Sequence, residues 1–301
     1  MDRKVALQLR NEEPWREMTG MMARAGFKYV AMSFGDERPL LEDNWREYVS
    51  DIDRVFKENG LKCVMTHAPY YHLLVSAEQR DPKMELAMAR CIEATSMLGA
   101  EICAVHPRSF IIPNMPREEA VDRARSLEEN IISFKPLVEE CEKFGVKLGI
   151  ENLMKYPHEH PWFYSYLVDD QIELIDKLDS ENVCGVWDFG HANLCDEDQA
   201  ERIRKMGKRI MGTHVHNNTA IHDCHFPPFY PDPSAYYIKR AVNWDSVMEA
   251  LGETGFDGYL TLEIIFHFNY STEALIKYVY DNICELDKIA RDRNTHHLRR
   301  R

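Results

Sequence analysis

The sequence lacks any apolar run near the about 18 residues that would suggest a membrane-crossing helix. Its opening stretch, "MDRKVALQLRNEEPW", has no apolar segment of the kind a secretory leader needs. No C-x-x-C pair occurs among the cysteines at 63, 91, 103, 141, 184, 195, 224 and 284. Several of them sit in apolar, strand-like runs, where a free thiol behaves as a small hydrophobe. A reduced, cytoplasmic protein with no membrane partner is therefore expected. Positive charge is in deficit, with 37 Lys and Arg against 50 Asp and Glu and a net charge of −13. That balance opposes non-specific binding to nucleic acid, which depends on neutralising phosphates. No glycine-rich phosphate fingerprint stands out, which leans toward unphosphorylated ligands. Repeats, low-complexity tracts and linkers are absent too. The 301 residues are expected to form one domain over 1–290, followed by a basic, solvated tail over 291–301, "RDRNTHHLRRR".

What is present is an alternation of short apolar runs and longer amphipathic ones. The strand-like runs are "KVALQLR" (4–10), "YVAMSF" (29–34), "KCVMTHAP" (62–69), "ICAVHP" (102–107), "VKLGIENL" (146–153), "NVCGVWDFG" (182–190), "RIMGTHVHNN" (209–218) and "GYLTLEII" (258–265). Helical periodicity falls near 13–25, 42–59, 81–99, 117–144, 168–178, 197–206, 244–254 and 272–290. Eight strands each followed by a helix is the (β/α)8 TIM-barrel pattern, and near-continuous apolar strands suit a parallel sheet covered on both faces. "EKFGVKLGI" and "GETGFDGYL" each end a helix in a glycine turn before a strand. Two connections, 154–167 and 218–243, are long, and both follow strands, on the face where such barrels build their sites.

Ionisable residues collect at the strand ends. Strand three ends with His67, strand four with His106, strand five with Glu151, and strand six with Asp188 and His191. Strand seven carries His214 and His216, the loop after it Asp223 and His225, and strand eight ends with Glu263. Taken singly, such a residue is commonly a satisfied polar group, and Asp188 or His191 could merely cap the next helix. Closure of the barrel would bring carboxylates and imidazoles from six strands to one rim, which is a metal-binding constellation. His214 and His216 lie two apart and point the same way, so alternation does not choose between them.

"LGIENL", "GVWDFGH", "THVHNN…HDCHFPP" and "NWDSVMEALGETGFDGYLTLEI" resemble the xylose isomerase-like TIM barrels. That superfamily includes sugar isomerases, ketose 3-epimerases, inosose dehydratases and endonuclease IV-type enzymes. The resemblance implies one divalent ion, most often Mn2+ (or Mg2+, Co2+ or Zn2+), on Glu151, Asp188, a strand-seven histidine and Glu263. His214 is the favoured histidine and His216 the alternative. Asn217 stands where the family's pattern usually has Asp. His67, His106, His191, Asp223 and His225 also match the further ligands of the trinuclear zinc site of endonuclease IV.

The activity implied is isomerisation or epimerisation of a sugar, with Glu151 and Glu263 removing and returning a proton next to a carbonyl. His67, His106 and His191 would contact substrate, and Trp187, Phe189, Tyr70 and Trp162 would cover its apolar faces. The resemblance also admits elimination from a sugar derivative, as in inosose dehydratases or the catalytic subunits of C-glycoside deglycosidases, which pair with a small second chain. A zinc phosphodiesterase is the third reading. A homo-oligomer with a small sugar as substrate and no nucleic-acid partner is expected.

Overall fold

The computed structural model describes residues 4–75, 81–155, 161–230, 239–266 and 271–291. Eight parallel strands close into a barrel: β1 (Val5–Arg10), β2 (Tyr29–Ser33), β3 (Lys62–His67), β4 (Ile102–Val105), β5 (Lys147–Glu151), β6 (Val183–Asp188), β7 (Ile210–Val215) and β8 (Leu260–Leu262). Each pairs with its neighbours in chain order, and β1 closes the ring on β8 with Val5 opposite Leu260. The expected strands and their order are present, with β8 shorter than its apolar run, so that Glu263 falls just past its end.

Alternation along the strands divides their residues between two compartments. Outward residues such as Leu7, Leu9, Met32, Val105, Ile150, Trp187, Val215 and Leu262 pack with the helices in one large apolar core. Inward residues Ala6, Ala31, Met65, Ile102, Ala104, Cys184 and Val186 form a second, smaller cluster that fills the lower barrel. Gly149 and Gly212 complete that layer. A β-carbon on Gly149 would lie 2.6 Å from Val186 and 2.8 Å from Ile102, so the facing strands need glycine there.

The outer helices start and stop where local chemistry dictates. Asp81, Asp122 and Asp198 cap the helices Pro82–Met97, Arg123–Phe144 and Gln199–Met206, each accepting from the first-turn amides. Gly26 and Gly145, both at positive φ, end Trp15–Ala25 and Arg123–Phe144. Helix Thr272–Arg291 holds Arg291 in ion pairs with Asp287 and Asp257, and the rest of the expected basic tail, 292–301, lies outside the described residues. Some features near the site were not anticipated from periodicity. A small parallel ribbon pairs Leu74–Val75 with Ser109–Phe110 above β3 and β4, and a five-residue helix, Phe189–Asn193, follows β6 directly.

Candidate metal centre

Two residues further along the inward faces, apolar filling gives way to ionisable groups. Met65 leads to His67, Ala104 to His106, Gly149 to Glu151, Val186 to Asp188, Gly212 to His214 and His216, and Thr261 to Glu263. Glu151, Asp188, His214 and His216 have no solvent exposure at all, and Glu263 is 5% exposed.

The donors fall into three groups, each with one ligand atom per residue within 4.8 Å of the others: Glu151–Asp188–His214–Glu263, His67–His106–Glu151, and His191–His216–Asp223–His225. Glu151 belongs to two of them. Its Oε2 lies 3.0 Å from His214 Nδ1 and 3.4 Å from both His67 Nε2 and His106 Nε2, and its Oε1 lies 3.2 Å from His191 Nδ1. His214 and His216 are not alternatives to each other. His214 faces Glu151 and Glu263, whereas His216 meets Asp188 at 3.0 Å and stacks on His225 with ring centres 3.9 Å apart.

Burying a polar atom without a hydrogen bond costs about 1–3 kcal/mol, so such atoms are rare unless something else meets them. Here both oxygens of Glu151, both ring nitrogens of His214, Nδ1 of His216 and Oδ1 of Asp223 lack a hydrogen-bond partner. Oxygens and nitrogens converge as though on a shared cation, and the N/O donor set suits a borderline divalent ion. The residues fit the metal that the resemblance implies.

Electrostatics agree. Burial alone would raise Glu151, but the imidazoles of His214, His106 and His191 hold it well below the usual carboxylate range. Glu263 is likewise pulled down against burial by His214 and His225, and Asp223 by His225 and His191. Conversely, burial would lower His214 and His225, yet the facing carboxylates push each up to about 9. His191 is raised well above its ordinary value against its burial, by Asp188, Asp223 and Glu151. Only His106 is lowered, because burial outweighs its contact with Glu151.

Asp188 serves both as a helix cap and as a potential ligand. Its Oδ1 accepts from the His191 amide at 2.7 Å and so caps Phe189–Asn193, while its Oδ2 lies 3.8 Å from His214 Nδ1. Asn152 fixes it from both sides, donating to the Asp188 carbonyl at 3.0 Å and accepting from its amide at 2.8 Å. The short helix carries His191 back over the barrel, where its Nδ1 meets the Asn152 carbonyl at 2.9 Å. The loop after β7 folds back through an antiparallel bridge between Asn217 and Phe226. This delivers Asp223 and His225, 3.0 Å apart, with His225 in the left-handed region at φ 47°. A left-handed conformation at a non-glycine residue costs energy and tends to cluster at functional sites.

Three of the expected aromatic residues pack elsewhere. Trp187 is adjacent to Asp188, so alternation turns it outward. It packs in the outer core, with Nε1 donating to Gln199 at 3.4 Å, and is no part of the rim. Phe189 likewise packs on Trp244, and Trp162 lies against Tyr166 and Lys155. Tyr70 does adjoin the site, with its ring 5.0 Å from that of His67. Sequence reasoning passed over Gln8 and Arg10 of β1. Gln8 Nε2 donates to Glu263 Oε1 at 2.9 Å, and Arg10 Nη2 approaches the same oxygen at 3.5 Å. The signal was a buried glutamine inside the apolar run "VALQL".

Residues 21–293 match the family model described as xylose isomerase-like TIM barrel, and the chain belongs to that family. The 2-oxo-tetronate isomerase of Haemophilus influenzae is 22% identical over 84% of this chain and 88% of its own length. The D-psicose 3-epimerase of Enterocloster bolteae is 24% identical over 66% of this chain and 58% of that enzyme. A protein of Methanocaldococcus jannaschii is 27% identical over 66% of this chain, which spans 64% of its length. Among solved structures, a D-tagatose 3-epimerase-like protein superposes with a TM-score of 0.70 at 19% identity, covering 96% of this chain and 98% of that one. The 3-keto-D-glucoside 4-epimerase of E. coli gives 0.69 at 16% identity, covering 95% and 99%. These two likenesses establish the fold. The relatives with named activities are an isomerase and an epimerase, both enzymes.

Proposed function

We propose that this protein is a divalent-metal-dependent isomerase or epimerase of a sugar or sugar derivative. The observation that carries the proposal is the group Glu151–Asp188–His214–Glu263, buried, convergent and short of hydrogen-bond partners. These four residues would hold the ion, which would supply Lewis-acid polarisation of a substrate carbonyl oxygen. The chain's own residues supply the rest. Glu151 and Glu263 are both held as carboxylates at neutral pH, the form that accepts a proton, and they reach His214 Nδ1 from separate strands at 3.0 and 3.5 Å. One would take the proton from the carbon next to the carbonyl, and the other would return it. His191, buried and protonated beside Asp223, can donate to a substrate hydroxyl. Mn2+ is the ion favoured by the family resemblance, and a small sugar is the expected partner.

The test pairs elemental analysis of protein purified without chelator with carbon–deuterium exchange in heavy water, using 2-oxo-tetronate and psicose as probes. At least one divalent ion per chain and metal-dependent exchange at the carbon next to the carbonyl are expected. Exchange that persists after the ion is stripped, or no bound ion at all, would sink the proposal. Exchange accompanied by loss of a leaving group would turn the reading to elimination.

A second reading has its own observation behind it. The two further donor groups, one sharing Glu151, could hold additional ions as hydrolytic centres do. The net charge of −13 opposes a phosphodiester duplex as substrate. Three zinc ions per chain with cleavage of abasic DNA would replace the first reading with this one.

A further inference from the structure

We propose that Arg10 selects the substrate, and that it selects a sugar acid whose carboxylate is bonded to the reacting carbonyl carbon, a 2-oxo acid. The proposal rests on the isomerase reading above. Arg10 is the last residue of β1, and alternation places it on the inward face directly above Gln8. The two side chains approach the same oxygen of Glu263 in different ways. Gln8 is 2% exposed and makes the closer contact, 2.9 Å from Glu263 Oε1. Arg10 stands off at 3.5 Å, with 24% of its side chain exposed.

A guanidinium carries five donors. Among the described residues, Glu263 is the only carboxylate within ion-pairing distance of Arg10, and Gln8 already hydrogen-bonds the oxygen that Arg10 approaches. Glu12 and Glu13 act on Arg10 through space. Tyr70, whose ring lies 5.0 Å from that of His67, lines an open cleft of about 460 Å3 with Tyr71, His72, Glu37 and Arg108. Arg10 therefore stands at the edge of the metal-ligand group, as a partly exposed cation with donors to spare.

Geometry sets the class of anion. Arg10 shares a carboxylate oxygen with the ligand group, so an anion paired with it lies within a few bonds of the carbonyl that the ion would hold. A carboxylate adjacent to that carbonyl, as in a 2-oxo acid, meets this requirement. A phosphate at the far end of a four- or five-carbon chain does not.

The test is calorimetric binding to the metal-loaded protein with three probes of equal chain length: 2-oxo-tetronate, the neutral tetrulose and tetrulose 4-phosphate. The acid should bind more tightly than either of the others. Arg10→Gln should weaken acid binding about ten- to hundredfold, the range for a hydrogen bond to a charged group, and leave the neutral sugar unchanged. Arg10→Lys should fall between. Equal binding of acid and neutral sugar by the wild type overturns the proposal, as does tighter binding of the phosphate. Equal weakening of both sugars in Arg10→Gln also overturns it, by making Arg10 a support for Glu263. Should the glutamine variant fail to fold, the wild-type ranking and the lysine variant decide. Binding of none of the probes would remove the isomerase reading along with this one, whereas binding without discrimination removes only the role of Arg10.

Discussion

The lower and upper halves of the barrel interior use the same strand faces for opposite purposes. Below, Ala6, Ala31, Met65, Ile102, Ala104, Cys184 and Val186 fill the space with apolar atoms, and Gly149 and Gly212 leave room for them. Further along, the same faces and the helix and loop that follow β6 and β7 bring four carboxylates and six imidazoles together, several with no hydrogen-bond partner. The lower half is satisfied by its own packing, whereas the upper half sets carboxylates against imidazoles and leaves buried polar atoms without a hydrogen bond. A buried apolar layer stabilises the fold in proportion to the area it covers. A buried layer of ionisable groups costs desolvation, which the charges facing one another only partly offset. The contrast separates what holds the barrel shut from what the barrel is for.

Changing Glu151 to Gln should give the largest effect. The residue belongs to two donor groups and is one of the two proposed proton carriers. Turnover should fall by about a thousandfold or more, within the range for loss of a positioned acid or base. The metal-free variant should stay folded but melt below the metal-free wild type, because a neutral amide removes the charge that His214, His106 and His191 face. Near-normal turnover would remove Glu151 from the chemistry, and a collapse of stability would make it a structural residue instead.

Stripping the metal should produce the next largest effect, on stability. An ion present at a thousand times its dissociation constant stabilises the folded state by about 4 kcal/mol per site. Chelation should therefore lower the melting temperature by several degrees, with reversal on adding the ion back. The pH dependence has a definite sign. In the metal-free protein His214 and His225 are raised to about 9, so they stay charged at neutral pH beside their carboxylates. That contribution to stability is fully present below the ordinary histidine value of about 6.5 and is lost as pH rises through about 9. Metal-free protein should thus lose stability between these limits, while loaded protein, whose imidazoles must be neutral to bind, should not follow the same slope. Parallel slopes in the two forms would argue against an ion at these residues.

How much of this was legible in the sequence depends on the length of the pattern involved. Eight apolar runs separated by helical ones carry the barrel, because a buried parallel strand must be apolar on both faces. The rim ligands from β3 to β8 stood out as ionisable residues breaking those runs. Trp187 was misread although the correction was available, since an inward Asp188 forces its neighbour outward. Gln8 and Arg10 were harder to see. A polar residue near the start of a chain looks like an ordinary surface group, and only barrel closure brings β1 beside Glu263, just past β8. The separation of His214 from His216 needed coordinates too. Both point inward, and what divides them is height along β7 and the return of the loop that carries Asp223 and His225.

The smallest expected effects come from two glycines, one in each half, and they test the contrast most directly. A β-carbon on Gly149 would press on Val186 and Ile102, branched side chains in the apolar layer. On Gly190 it would come within 1.9 Å of the His216 ring. Overpacking of this kind costs about 1–3 kcal/mol, so Gly149→Ala and Gly190→Ala should lose similar stability. Their functional consequences should differ. Gly149→Ala strains apolar contacts only, and its folded fraction should keep full metal content and turnover. Gly190→Ala must move His216, which faces His191, Asp223 and His225 on one side and Asp188 on the other. It should lose any ion held by the His191–His216–Asp223–His225 group while keeping the one on Glu151, Asp188, His214 and Glu263. Metal content and melting curves measured on both variants decide the matter. If Gly149→Ala also lost metal, the two halves would be mechanically coupled and the division between scaffold and site would fail. If Gly190→Ala kept every ion the wild type holds, His216 would be a support for Asp188 and no ligand.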